Sequence, residues 1–532
     1  MQYIRQSKHD EEFVMNSNCS RRDFAKFVAL SAALGTLLDS QKAMSRSYEY
    51  DTHLSTRKEL STAREKIIGL NVAIIGSGVA GLVAAYELAM AGAMPVVFEA
   101  RDKIGGRVET VRSGDYINED DISVQVCDFD EHRSLFFNTG AARISQEHAL
   151  IMHYCRELNV PMELVCNENK AAYYFDEAIS NNNAFRIRTL QSSIRGWISE
   201  LAAKSVVGSG DKYMSSADSS ALLELISDFG DLNQDLRFVS TPRGGVYFDW
   251  STGQTTGNFE SIPISEIVKL ESFSRYKLNL GEFLNQQASM MHPIGGMDKF
   301  IQAFYQKISS RVFVQTEVVS VKRYDGRCVV RVKDASGRFF LKKFDAVIVT
   351  TPPVIINGLD IDISEGLKSE LVSKTMSKPS KVAFQSPRFW ETRDGIYGGV
   401  SYTSDEITML WYPSNDLGSE QGIIVGAYHL GVFPGELFSS LSVNERVSRA
   451  ITQGGKIHQG YESFVKKGIT RSWERTNFIK GGWALVGSSF ESTRRADGSI
   501  FFAGDHMSSM PGWMEGSALS AHLAVRELLK VL

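Results

Sequence analysis

Cysteine is scarce: five residues in a chain of 532, namely Cys19, Cys127, Cys155, Cys166 and Cys328. None forms a C-x-x-C pair, so neither a zinc knuckle nor a thioredoxin-type redox pair is indicated, and no metal is expected. An odd count at sparse spacing does not make a disulfide framework. Free thiols are the expectation, with a Cys127–Cys166 pair after export as the alternative. A basic excess is missing too. Lys and Arg number 58 against 62 Asp and Glu, a net charge of −4, which disfavours a nucleic-acid partner. Beyond the first 40 positions no apolar run approaches the roughly 20 residues that span a bilayer, so stable membrane insertion is not expected. There is no internal repeat and no long low-complexity segment. What remains is ordinary globular composition, 43 % hydrophobic and 23 % charged, in a chain long enough for about two to four domains.

Near the N-terminus, Ser20-Arg21-Arg22-Asp23-Phe24-Ala25-Lys26 precedes an apolar run from Phe27 to Leu38. A charged flank before a short apolar core is the layout of a signal peptide. The adjacent arginines, with Phe and Lys following, resemble the twin-arginine export signal of bacteria, a route for proteins that are already folded. Residues 1–45 are therefore read as a removable signal, with Met15 an alternative start. The expected location is the periplasm or the medium; an amphipathic N-terminal helix on a cytoplasmic protein is the other reading. Residues 46–65 are polar without clear period and read as a linker or surface arm.

Asn71-Val72-Ala73-Ile74-Ile75 is a β-rich apolar run, followed at once by Gly76-Ser77-Gly78-Val79-Ala80-Gly81 and a helix-forming stretch to Ala89. Pro95-Val96-Val97-Phe98-Glu99 then reads as a second strand ending in an acid. This order is the dinucleotide-binding fingerprint. Gly76 makes the tight turn, Gly78 admits the pyrophosphate and Gly81 lets helix and strand pack closely. The helix N-terminus, with Val79 and Ala80, offers amide donors to phosphate. Glu99 suits ribose hydroxyls.

The residues after the acid separate FAD from NAD. Glu99-Ala100-Arg101 leads into Gly105-Gly106-Arg107, and here the sequence resembles the flavin amine oxidase family. Further matches follow in order: Pro293-Ile294-Gly295-Gly296-Met297; Glu317-Val318; Asp345-Ala346-Val347-Ile348-Val349-Thr350-Thr351-Pro352; Ala503-Gly504-Asp505; and Gly512-Trp513-Met514-Glu515-Gly516-Ser517. The resemblance runs over roughly residues 70–532 and implies noncovalent FAD. In this family the matched Glu99 holds the ribose, Gly106 and Arg107 approach the pyrophosphate and flavin, Val318 holds the adenine, and Asp505 binds the ribityl chain. No cysteine stands near the C-terminal motifs to form a thioether to the flavin.

Within the family, Gly140-Ala141-Ala142-Arg143 resembles the segment by which L-amino-acid oxidases and tryptophan 2-monooxygenases place an arginine over the flavin. The match makes Arg143 the anchor of a substrate α-carboxylate, a bidentate task that suits a guanidinium. By the same resemblance Tyr412, in Leu410-Trp411-Tyr412-Pro413, donates its hydroxyl to that carboxylate, and Lys381 holds a water near the flavin. The Gly512 carbonyl accepts from the amine, Trp513 walls the pocket, and Trp483 lines the side-chain end. Ser517 and Asn477-Phe478 depart from the family pattern and leave side-chain preference open.

The expected fold is α/β. A discontinuous Rossmann-type FAD domain (66–115, 291–360, 481–532) is interleaved with an α+β substrate domain (116–186, 233–290, 361–480) and a helical lobe (187–232). The expected reaction is oxidative deamination of L-amino acids with dioxygen, giving 2-oxo acid, ammonia and hydrogen peroxide. A 2-monooxygenase and an amine or polyamine oxidase are the alternatives. A homodimer or higher homo-oligomer is the expected assembly.

Overall fold

A computed structural model describes residues 52–120, 122–179, 183–209, 215–245, 247–249, 251–256, 261–270, 278–429, 432–485 and 496–532. The signal expected at residues 1–45 lies outside the described residues. Among those described, no helix is long and apolar enough to cross a membrane.

The apolar run Asn71–Ile75 forms a strand that pairs in parallel with Met94–Phe98 on one side and Ala346–Val349 on the other. Val72, Ala73 and Ile74 are wholly buried, as expected of a strand covered on both faces, which needs no alternation of apolar and polar residues. The complete sheet has six strands, in the order Val312–Phe313, Met94–Phe98, Asn71–Ile75, Ala346–Val349, Ile500–Phe502, Ala496–Asp497. Only the last pairing is antiparallel. The sheet therefore gathers three distant stretches of chain.

The helix Val79–Met90, rich in Ala and Leu, has ten of its positions buried and packs with Ala149–Glu157, Asp298–Ile308 and Met514–Val531 in one core. A second core joins the other face of the sheet to a four-stranded sheet (Phe339–Phe344, Arg327–Lys333, Glu317–Tyr324, Asp360–Ile361).

Three boundaries differ from the sequence reading. Ala149–Glu157 falls within the segment assigned to the substrate domain, yet Leu150, Ile151, Tyr154 and Cys155 pack in the nucleotide-side core. Ile361, Ile363, Leu367 and Leu371, placed beyond the second FAD segment, belong to the core beneath Val347 and Val349. The motifs mark where a cofactor is touched, not where a core ends. The arm at 46–65 is no loose linker over its described part: residues 52–62 are helical, with Thr52, His53, Thr56 and Leu60 buried. Its buried face is mostly polar, so a search for apolar periodicity passes over it.

A seven-stranded sheet runs in the order Lys466–Ser472, Ser380–Pro387, Gln421–Tyr428, Met409–Tyr412, Gly399–Thr403, Tyr173–Phe175, Phe185–Arg186. Its own core includes Phe384, Trp390, Tyr412 and Tyr461. Helices Ile187–Ser209 and Ser216–Gly230 pack together. The second begins at a capping box, in which Ser215 and Asp218 satisfy each other's amides.

Candidate active site

One cavity of about 820 Å³ runs from the glycine turn of the six-stranded sheet to the aromatic end of the seven-stranded sheet. At its first end the glycines have distinct tasks. A Cβ on Gly81 would stand 2.0 Å from the Gly76 carbonyl oxygen, and one on Gly76, whose φ is +104°, would meet Thr350 Oγ1 at 2.8 Å. Both are required by the fold itself. A Cβ on Gly78 meets nothing within 4 Å, and Gly78 lines the cavity. That is open space against bare backbone at a helix N-terminus, which is what an incoming pyrophosphate needs. At Gly106, with φ +58°, a Cβ would stand 3.3 Å from the Gly78 Cα, so the second turn too needs glycine to lie against the first.

Glu99 is buried at the end of its strand. Its Oε2 accepts from the Ser77 amide at 2.9 Å and hydroxyl at 2.6 Å, and its Oε1 from the Arg101 amide at 2.9 Å. Val79, Ala100 and Val318 also line the cavity, whereas Ala80, Gly81, Arg101 and Gly504 do not. The Arg101 side chain, which the motif match would also place by the cofactor, turns back and donates to the Gly106 carbonyl at 3.1 Å. It braces the turn that carries Arg107. Gly504, at φ +138°, instead leaves room for the His506 ring, 2.4 Å from where its Cβ would be.

Midway, Arg107 pairs with Asp505 at 2.5 Å and also donates to the Gly482 carbonyl. Burial alone raises the Asp505 carboxyl, but Arg107, then His506, and the Gly512 amide at 3.1 Å outweigh it and hold the group below the ordinary range. An ionised carboxylate thus faces the middle of the cavity.

The far end holds the charged pair of interest. Arg143 follows Gly140, where a Cβ would collide with the Arg107 carbonyl at 1.9 Å; the segment must therefore press against the arginine turn. The Arg143 guanidinium donates to Gln286 Oε1 at 2.8 Å and lies 4.2 Å from the Trp411 ring centroid. Lys381, 4 % exposed, donates to the carbonyls of Asn138 at 3.0 Å and Gly140 at 2.6 Å. Burial first, and the nearby Arg143 cation second, lower its pKa from 10.5 to about 7. Ala142, Trp483, Gly512, Trp513 and Met514 line the same end. Gly512, at φ +81°, lets its backbone approach the Trp483 ring, 3.1 Å from where its Cβ would be.

Tyr412 is a correction. Its hydroxyl lies 2.6 Å from Ser401 Oγ and 2.6 Å from His458 Nε2, on the buried side of the sheet. Side chains alternate along a strand, so the cavity receives Trp411 instead. A tyrosine is still present there: Tyr428, directly across from Lys381 on the neighbouring strand, has its ring centroid 4.7 Å from Lys381 Nζ and 5.3 Å from that of Trp411. Tyr428 and Gln286 have no motif around them, and no sequence signal marks either. Glu515, read only as part of a motif, caps the helix Ala149–Glu157, accepting from the amides of Leu150 at 2.8 Å and Ile151 at 2.9 Å.

A sequence model of the flavin containing amine oxidoreductases matches residues 79–529, and the chain belongs to that family. An L-amino-acid oxidase of Crotalus adamanteus is 23 % identical over 93 % of this chain and 94 % of its own. The flavin-dependent L-tryptophan oxidase RebO of Lentzea aerocolonigenes is 24 % identical over 86 % and 97 %. Among solved structures, wild-type putrescine oxidase bound to putrescine superposes with a TM-score of 0.57 at 17 % identity, covering 87 % of this chain and 99 % of that one. Cyclohexylamine oxidase from Brevibacterium oxydans IH-35A gives 0.57 at 16 %, with the same coverage. The fold is that of the flavin amine oxidases and the cofactor is FAD. The open Gly78 face, the buried Glu99 and the bare glycine backbone of the second turn fit its nucleotide half.

Proposed function

We propose that the protein is an L-amino-acid oxidase, converting an L-amino acid, water and dioxygen to a 2-oxo acid, ammonia and hydrogen peroxide, the water hydrolysing the imino acid that oxidation leaves. The observation that carries this reading is Arg143 at the aromatic end of the cavity. Two of its partners are a neutral amide oxygen and an indole face, which orient the guanidinium in the cavity it lines. A substrate that is only an amine has no use for that cation, whereas an α-carboxylate pairs with it in bidentate fashion. Bound FAD would supply the two-electron redox chemistry between the substrate Cα–N unit and dioxygen. The chain supplies orientation: Arg143 grips the carboxylate, the Gly512 carbonyl accepts from the amine, and Trp411, Tyr428 and Trp513 exclude water. Lys381, balanced between its protonation states near neutral pH, holds or releases a proton at Nζ. The relatives that act on L-amino acids support the same reading.

The test is a peroxide assay over L- and D-amino acids and the corresponding amines, with Arg143→Met beside the parent. Losing the charged pair costs about 3–5 kcal/mol of transition-state stabilisation. That is roughly a hundred-fold to several-thousand-fold fall in kcat/KM for L-amino acids, with FAD content unchanged and no parallel fall for amines. Equal turnover of L-amino acids by Arg143→Met would sink the carboxylate anchor and favour an amine oxidase. An amide product in place of the 2-oxo acid would favour the 2-monooxygenase reading. Export of the folded protein through Arg21-Arg22 belongs to this proposal. Replacing both by lysine should retain the enzyme in the cell, and an unchanged distribution with an intact N-terminus argues against it.

A further inference from the structure

Outside the flavin cavity, three elements bring metal-ligating side chains to one buried point. His53 comes from the 52–62 helix, Glu87 from Val79–Met90 and His522 from Met514–Val531; they are 1 %, 2 % and 0 % exposed. One ligand atom from each lies within 4.8 Å of the other two. None of the three lines the flavin cavity.

The hydrogen bonds around the point determine which atoms face it. Arg57 donates to both oxygens of Glu87, at 2.7 Å and 2.9 Å. Tyr154 lies 2.8 Å from Glu87 Oε1 and 2.8 Å from His522 Nε2. Its proton goes to the carboxylate, so its oxygen accepts from His522 Nε2–H. That tautomer leaves a lone pair on His522 Nδ1, which is buried without a hydrogen-bond partner among the described residues. A hydrogen bond from the far ring nitrogen that fixes the tautomer is the usual support of a histidine metal ligand; here the Tyr154 oxygen takes that part. His153 stands behind the two histidines, its ring centroid 4.3 Å from that of His53 and its Nε2 2.7 Å from Glu157. Glu87 and Glu157 bring two negative charges against the one of Arg57, so a divalent cation meets a net negative surrounding.

We propose that His53, Glu87 and His522 bind a divalent transition ion of the zinc class and so fasten the 52–62 helix to the nucleotide-binding core. Two imidazole nitrogens and a carboxylate suit zinc, with a water as fourth ligand. The site joins a segment just after the N-terminal region to the last helix, a structural rather than a redox task.

The experiment uses the full-length, FAD-loaded protein without a histidine tag, treated with a chelator and then titrated with zinc. One zinc per FAD by elemental analysis, and a zinc-dependent rise in the thermal midpoint, are expected. His522→Gln and His53→Gln should each weaken zinc binding by at least about ten-fold and abolish the rise, with FAD content kept. Tyr154→Phe, which keeps every ligand but releases the tautomer, should weaken binding about ten-fold to a hundred-fold. Cobalt in the parent gives a readout that needs no variant: ligand-field bands at wavelengths beyond the flavin absorption support the site, and their absence overturns it. Less than one bound zinc per FAD, or equal zinc binding by parent and both histidine variants, also overturns it.

Discussion

Replacing Lys381 by Met removes an amine whose charged form the fold disfavours. Lys381 is buried and ionises near pH 7 instead of 10.5. At about 1.36 kcal/mol per pH unit, that gap is on the order of 5 kcal/mol. The sign follows from proton binding. Between about pH 7 and 10.5 the unfolded chain holds a proton on Lys381 that the folded chain has released, so stability rises with pH across that window. Below about pH 7 the folded protein carries the whole penalty. Met keeps the apolar stem and removes the penalty, but leaves the Asn138 and Gly140 carbonyls without their donor, at about 1 kcal/mol each, independent of pH. Lys381→Met should therefore be more stable than the parent at pH 6 and less stable near pH 10.5. All other titrating groups cancel in the difference. Unfolding entropy of ~2.1 cal/mol/K per residue makes ~1 kcal/mol/K for a chain of this size, so the difference in thermal midpoint should move by about 5 °C across the window. The assay is scanning fluorimetry of both proteins, saturated with FAD, in steps from pH 6 to 10.5. A midpoint difference that stays flat to within about 1 °C would refute the reasoning. Because Arg143 is the second cause of the shift, Arg143→Met should move the break to higher pH.

Three further outcomes are expected. Glu119 and Arg446 form an ion pair 2.7 Å long with both side chains wholly buried; Glu119→Ala strands the guanidinium and should cost about 3–5 kcal/mol, read as a fall of several degrees in midpoint, and a fall under 1 °C contradicts it. Gly78→Ala should fold normally yet bind FAD weakly, because its Cβ points into the cavity, whereas Gly81→Ala should fail to fold stably, because its Cβ would overlap the Gly76 carbonyl; equal soluble yield and equal FAD content for the two variants rules this out. Acid precipitation should release FAD into solution, since no cysteine near the C-terminal motifs can hold it covalently, and flavin left in the protein pellet is the contrary result.

The two ends of the cavity were unequally legible in the sequence, and the difference has a physical origin. Gly76 and Gly81 are required by contacts within one turn and its neighbouring strand, so the need for glycine is written locally and shows as spacing. Arg143 and Lys381 were legible through their motifs, although only the fold shows that they share one pocket and that Arg143 lowers the affinity of Lys381 for a proton. Tyr412 shows where local reading stops. Strand alternation gives Trp411 and Tyr412 opposite faces, but which face meets the cavity depends on pairing with Gln421–Tyr428, a strand the motif does not contain. A shift of one residue exchanges the two roles, and the pattern of aromatics is the same either way. Tyr428 and Gln286 reach the cavity from segments with no motif at all. The 52–62 helix was hidden for the opposite reason: apart from Leu60, its buried face is made of Thr52, His53 and Thr56, residues that count as polar in any periodicity. Burying such a face requires partners on other elements, here Arg57 bonded to Glu87 and Glu157. A helix held by ion pairs rather than by an apolar stripe becomes visible only when the residues that satisfy it, tens to hundreds of positions away, are brought alongside.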